Sequence, residues 1–127
     1  MKATVAYILK ELSVPPHLTG FDYLIDAIVL CYKDREIMHS MTKALYPTIG
    51  KMYKKTSSEV ERAIRHAVIW CFNNCDGDVT YSVFGNTIDM NTGKVTNSHF
   101  IATIVEILRY EPNHPILNGS PYKRGTA

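Results

Sequence analysis

Apolar residues recur at every third or fourth position over most of this chain, and this spacing is the strongest limit on its fold. Over residues 19–33 and 96–110 they mark one face of an amphipathic helix, and in the first of these helices Asp22 and Asp26 fall on the opposite, polar side. A shorter helix is predicted over residues 4–12 and is ended by Pro15 and Pro16. Because no segment alternates convincingly as a strand does, we predict an all-α fold.

Two further helices are predicted in the middle of the chain. One begins near Asp34 or Arg35 and stops before Tyr46, with its apolar residues again at helical spacing. The next is short and covers residues 47–53, because proline is accepted in the first turn of a helix, where its missing N–H would have no partner.

A third helix follows the short link of residues 54–56. Ser58 and Glu61 have the spacing of a capping box, which predicts the helix start. Two short helices joined by a tight turn are typical of a helix-turn-helix. The small residues Gly50 and Ala63 are predicted to lie where these two helices cross.

The rest of the chain is predicted to be less regular. The stretch NNCDGD is interpreted as a loop in which Gly77 has a positive φ, and it lacks the closing glutamate of a calcium-binding loop, so no metal is expected. Residues 79–96 are predicted to be mostly irregular, with VTYSVFG as a short helix or a turn and NTIDMNTGK as a loop or a hairpin. The predicted domain organisation is a helical domain over residues 1–110 and a proline-containing flexible tail over residues 111–127.

Charge is concentrated around the predicted helix-turn-helix. The formal net charge of the chain is only +2, so attraction to nucleic acid depends on local clustering. Residues 51–66 hold five basic side chains against two acidic ones, Glu59 and Glu61. The basic ones are Lys51, Lys54, Lys55, Arg62 and Arg65. Such a cluster suits the binding of phosphates.

One face of the third helix carries long polar side chains. Arg62 and Arg65 lie near its amino-terminal end, the part of a helix that approaches base edges in the major groove, and arginine matches the acceptors of guanine. Glu61 can accept from the amino group of cytosine. Alternatively, the face is a solvated surface on which Glu61 and Arg65 form an i, i+4 ion pair.

Other classes of function find little support. The five histidines show no metal spacing and no nucleophile motif, so neither an enzyme nor a cofactor is indicated; they are His17, His39, His66, His99 and His114. The amino terminus is neither a signal peptide nor a membrane span, which favours the cytoplasm. Three cysteines are predicted to be reduced core thiols: Cys31, Cys71 and Cys75.

Several separate segments carry a family resemblance. The stretches VPPHLTGFDYLIDAI, ALYPTIGKMY, VERAIRHA and KVTNSHFIATIVEILR occur in this order between about residues 5 and 110. Together they resemble the carboxy-terminal effector domain of the sporulation response regulator family, stage zero sporulation protein A. The resemblance implies an all-helical domain of about six helices that contains a helix-turn-helix.

The resemblance also implies a function. Members of that family bind TGTCGAA-like boxes in double-stranded DNA as dimers on tandem sites. Glu61, Arg62 and Arg65 match the base-contacting positions of the family, and His66 matches a supporting one. Lys94 and Ser98 belong to the segment that approaches the DNA backbone, while Ser58 and Glu59 lie beside the base-contacting positions in the first turn of the predicted third helix.

The sequence departs from the family pattern in three respects. Glu59 replaces a basic residue, and Val95 replaces a proline. The 127 residues leave no room for the phosphorylatable receiver domain that precedes the effector domain, so we expect a fragment or a free-standing paralogue. An alternative function is therefore a protein-interaction module that dimerises with a full-length regulator and antagonises it.

Overall fold

Helices form most of the chain. A computed structural model describes residues 1–121, apart from the side chain of Asn86. Its α-helices are α1 (Lys2–Glu11), α2 (Thr19–Lys33), α3 (Arg35–Met38), α4 (Tyr46–Tyr53), α5 (Ser57–Asn74), α6 (Gly77–Phe84) and α7 (Asn97–Tyr110). Strands are absent from residues 1–121, and the predicted all-α class is confirmed. None of the described helices is long and apolar enough to cross a membrane.

The long helix α2 lies at the centre of the fold. It packs against α1, α5 and α7, and its residues Leu24, Ala27 and Ile28 are completely buried. Both α2 and α7 have the predicted bounds, because each carries a strong apolar stripe. A row of aromatic rings joins α6 to α5 and α7: between ring centroids, Phe84 of α6 lies 5.2 Å from Phe72 of α5 and 5.1 Å from Phe100 of α7.

The segment before α4 differs from the single helix that was predicted there. The first part, α3, has only four residues, and Ser40 then leaves helical geometry with φ −136° and ψ 57°. A π-helical turn, Met41–Leu45, follows and leads directly into α4, with the N–H of Tyr46 donating to the carbonyl of Met41. Because Pro47 has no N–H, an ordinary α-helical ladder could not continue through this point.

Two other local predictions are wrong. Gly77 has no positive φ and is not part of a loop; it begins α6, which continues through VTYSVF as the short helix that was one of the two alternatives there. The side chain of Asp76 caps it by accepting from the N–H of Asp78 at 2.8 Å. Asp26 was placed on the solvent face of α2 but is only 4% exposed. Its carboxylate pairs with Lys2 at 3.1 Å and accepts a hydrogen bond from Tyr53, so partners replace the lost water.

Two glycines allow close backbone approaches. A Cβ on Gly20 would lie 2.2 Å from the carbonyl oxygen of Ala63, so α2 and α5 touch here. A Cβ on Gly50 would lie 2.5 Å from the carbonyl oxygen of Lys55. Neither close approach is the predicted crossing of α4 and α5: Gly50 makes room for the link after α4, and Gly20 makes room for the backbone of Ala63 against α2.

The segment after α7 returns to the domain. A 3-10 turn, Pro115–Leu117, follows α7 and contacts α1, and Ile116 and Leu117 are buried. The expected flexible tail is wrong for this turn, because its two apolar side chains complete the core over α1. The tail residues 122–127 lie outside the described residues, and a domain boundary near residue 110 stays a prediction.

The cysteines are free thiols. Cys31 and Cys71 are buried, as predicted, while Cys75 is partly exposed. Burial raises the pKa of Cys31 to about 11 and that of Cys71 to about 12. Both thiols therefore stay protonated at neutral pH and pack as small apolar groups.

Candidate nucleic-acid interface

The link between α4 and α5 fixes how the two helices meet. Lys54 adopts the left-handed conformation with φ 58° and ψ 48°, which ends α4. The N–H of Lys55 then donates to the carbonyl of Gly50 at 2.8 Å, and this bond closes the last turn of α4. The chain enters α5 after Thr56, and α4 and α5 pack against each other.

The start of α5 is fixed by a capping box two residues before the predicted one. The hydroxyl of Thr56 accepts from the N–H of Glu59, and the carboxylate of Glu59 accepts from the N–H of Thr56, both at 3.1 Å. The predicted pair, Ser58 and Glu61, has the same spacing but is not used, because Thr56 is the residue with extended geometry before the helix. Ser58 and Glu61 are consequently left for other roles.

Glu59 is held by the helix end that it caps. Its hydrogen bond from the backbone N–H of Thr56 is the main reason why the pKa of Glu59 lies below its ordinary value, and Lys55 and Arg62 add to the effect. The carboxylate is fully exposed, yet it is turned back towards the first turn of α5.

The polar face of α5 lies in solvent as predicted. Ser58, Arg62, Arg65 and His66 are exposed, and Glu61 is partly buried. On the opposite side, the helix buries a continuous apolar stripe: Val60, Ile64, Ala67, Val68 and Cys71. The ring of His66 also meets Trp70 edge-on at 6.4 Å between centroids. The stripe fixes the rotation of α5 about its axis, so it also decides which side chains point outward.

A cleft on one flank of α5 gathers several candidate residues. This α7-side cleft, of about 540 Å³, lies between α5, the turn before α4 and the segment before α7. Glu61, Arg65, Lys94 and Ser98 all line it. Arg65 Nη1 and Glu61 Oε1 are 3.2 Å apart and form the i, i+4 ion pair that the sequence allowed.

A second cleft lies on the other flank, towards α2. This α2-side cleft, of about 580 Å³, is lined by Lys55, Glu59, Arg62 and His66 together with residues of the α1–α2 connection, including His17. The two arginines therefore point to opposite flanks of α5. Lys51 and Lys54 are exposed at the end of α4 and in the link but line neither cleft.

Asn97, the first residue of α7, was not among the predicted site residues. Its side-chain amide donates to the backbone carbonyl and to the carboxylate of Glu61, each at 3.3 Å, and to the hydroxyl of Tyr46 at 3.2 Å. Its neighbour Thr96 provides the cap of α7 by accepting from the N–H of His99. No local signal could have joined positions 36 residues apart.

A comparison with known families finds one match over most of the chain. Residues 5–108 match the family model described as sporulation initiation factor Spo0A C terminal. That stretch includes α2 to α6 entirely and most of α1 and α7. The family is one of transcription factor domains that bind DNA. The chain therefore belongs to the Spo0A carboxy-terminal family, the DNA-binding effector domains of sporulation regulators.

Proposed function

We propose that this chain binds double-stranded DNA sequence-specifically through a helix-turn-helix made of α4 and α5, and regulates transcription related to sporulation in the cytoplasm. The observation that carries the proposal is the exposure of Arg62 and Arg65 on the amino-terminal half of α5, directly after a basic link. That half of a recognition helix contacts base edges when it enters the major groove. By family, the targets are TGTCGAA-like boxes bound by a homodimer on tandem sites.

The base contacts are assigned to three residues. Arg62 and Arg65 present guanidinium groups that suit the O6 and N7 acceptors of guanine. Glu61 accepts from a cytosine amino group, and its ion pair with Arg65 limits how far either side chain can move. Because Arg62 and Arg65 lie on opposite flanks of α5, they would contact different base pairs.

The phosphate contacts are assigned to residues around that face. Lys55 lies on the α2-side flank of the recognition helix, and Lys94 and Ser98 lie on its α7-side flank, while Lys51 and Lys54 lie at the end of α4 and in the link before α5. Positive groups on both sides of a helix suit the two phosphate backbones that border a major groove. Ser58, Glu59 and His66 support the arrangement from the first turns of α5.

The assignment is tested by comparing two classes of variant on a cognate and a scrambled duplex. Arg62→Ala and Arg65→Ala should each cost about 1 to 3 kcal/mol on the cognate duplex and change binding to the scrambled one little. Lys54→Ala and Lys55→Ala should weaken both complexes alike and reduce the slope of log affinity against log salt by about one unit. Fluorescence anisotropy titrations at several salt concentrations measure both quantities.

A matched control is available on α2. Lys33 is exposed at its carboxyl end, 13 residues and therefore about 20 Å along the helix from the Gly20 contact with α5. Lys33→Ala removes the same charge far from the proposed interface and should leave affinity nearly unchanged. If both arginine variants keep the full preference for the cognate duplex, α5 is a solvated surface and the proposal is wrong.

The negative charge of Glu59, considered without its capping role, suggests a second candidate function: a module that pairs with a full-length regulator and antagonises it. An exposed acidic side chain in the first turn of α5 repels phosphate, whereas a protein partner could pair a basic side chain with it. The same titrations separate the candidates, because an antagonist should show little DNA binding at any salt concentration. Co-purification with a full-length regulator would then support the antagonist.

A further inference from the structure

One amide group joins three elements next to the proposed base-contacting residues. Asn97 Nδ2 lies within hydrogen-bonding distance of Tyr46 on α4 and of two oxygens of Glu61 on α5. A carbonyl and a carboxylate can only accept, so the amino group of Asn97, and not its oxygen, must face them. The orientation of this side chain is therefore determined by its partners.

The contacts continue to Arg65. One carboxylate oxygen of Glu61 accepts from Asn97 at 3.3 Å, and the other lies 3.2 Å from Arg65. Each end of the carboxylate thus has its own partner, and rotation of the Glu61 side chain would break both. Because Asn97 also binds the backbone of Glu61, it fixes the side chain relative to α5 itself.

The surroundings of this Asn97–Glu61–Arg65 relay limit its movement. Tyr46 is 6% exposed, and burial raises the pKa of its phenol, so it remains a neutral partner at neutral pH. Asn97 is partly buried at the beginning of a helix whose cap is made by a different residue, Thr96. Asn97 is therefore not needed as the cap of α7, and its amide serves the contact with α5.

We propose that Asn97 is a positioning residue for DNA specificity: through Glu61 it holds Arg65 in the conformation that contacts a base. The proposal rests on the function proposed above. A long side chain that is ordered before binding loses less conformational entropy in the complex, and a base contact made by it discriminates more sharply. Arg62 has no ion pair within the described residues, so the relay acts on one of the two arginines.

The test is a double-mutant cycle on the ratio of cognate to scrambled affinity. Asn97→Ala should lower this ratio by about fivefold to tenfold, within the range for residues of one hydrogen-bonding network. In the Arg65→Ala background the same change should have no further effect, because its target is gone. His99→Ala, at an exposed position on the same turn of α7, should leave the ratio unchanged. An equal effect of Asn97→Ala in both backgrounds overturns the proposal.

A second variant and a measurement without DNA keep the proposal independent of folding and of the proposed function. Asn97→Asp keeps the size of the side chain but replaces its donor by an acceptor, so it should reproduce the loss. In the free protein, the Nε–H resonance of Arg65 should shift in both Asn97 variants and stay unchanged in His99→Ala. If wild type shows no preference for the cognate duplex, the proposed function fails, and this resonance alone decides: a shift supports positioning by Asn97, and an unchanged signal overturns it.

Discussion

The contact between α2 and α5 makes a sharp prediction about Gly20. An alanine Cβ there would lie 2.2 Å from the carbonyl oxygen of Ala63 and 2.9 Å from the Cβ of Ala67, whereas ordinary contacts begin at 3.4 Å. Gly20→Ala must therefore push the two helices apart by about 1 Å, a strain of the kind that overpacking produces. Neither obstacle can rotate away, since one is backbone and the other is a methyl group next to it.

The expected cost lies at the upper end of the overpacking range. Overpacked cores lose typically about 1 to 3 kcal/mol, and with a rigid obstacle we expect about 3 kcal/mol for Gly20→Ala. For a chain of this size, each kcal/mol lowers the melting temperature by about 4 °C, so the expected shift is about 12 °C. Thermal unfolding followed by circular dichroism measures it directly.

Gly77 provides the matched control. A Cβ there meets no atom within 4 Å, and its φ is not positive, so alanine fits without strain at the first residue of α6. Gly77→Ala should leave stability unchanged or raise it by up to about 1 kcal/mol through helix propensity. Melting temperatures of Gly20→Ala and Gly77→Ala that agree with each other would refute the close crossing of α2 and α5.

Three further predictions concern polar groups. Thr56→Ala should cost about 1 kcal/mol in chemical denaturation and Ser58→Ala almost nothing, because Thr56 is the cap; the reverse order would support the cap first predicted. The pKa of Glu59 is lowered from its ordinary value of 4.5, so its contribution is complete above that pH and is lost as pH falls through the lowered pKa. The stability gap between wild type and Glu59→Gln, followed by melting across pH, should therefore close in strong acid; a constant gap contradicts this. In chemical denaturation, Asp26→Ala should lower the free energy of unfolding by about 1 to 3 kcal/mol. Asp22→Ala, at an exposed position of the same helix, should lower it little. Equal losses would contradict a stabilising role for the contacts of Asp26 with Lys2 and Tyr53.

The sequence predicted those parts of the fold that depend on one helix at a time. The bounds of α2 and α7 and the exposed face of α5 follow from apolar spacing, which a single stretch of chain contains. The start of α5 was ambiguous because TSSEVE contains the capping pattern twice, and local spacing could not decide between Thr56 and Ser58. In the structure Thr56 is the cap, and the link directly before it packs against α4, with the carbonyl of Lys55 close to Gly50.

The remaining errors depend on contacts between distant positions. Asp26 looked like a surface residue until Lys2 and Tyr53 were placed beside it. The apolar pair at positions 116 and 117 stands among prolines and polar residues, so its burial follows only from the nearby surface of α1. For the same reason, the site residues of α5 could be predicted from its own periodicity, but their link to Asn97 could not.

The structure changes the meaning of Glu59, the clearest departure from the family pattern. Considered as a charge, it opposes phosphate binding and favours an antagonist. In the fold, its carboxylate binds the N–H of Thr56 at the positive end of the α5 dipole, with Lys55 and Arg62 close by. Part of its negative potential is therefore already compensated where it lies. The capping role is a sufficient physical reason for an acid at this position, so Glu59 alone gives no ground for preferring the antagonist over a protein that binds DNA.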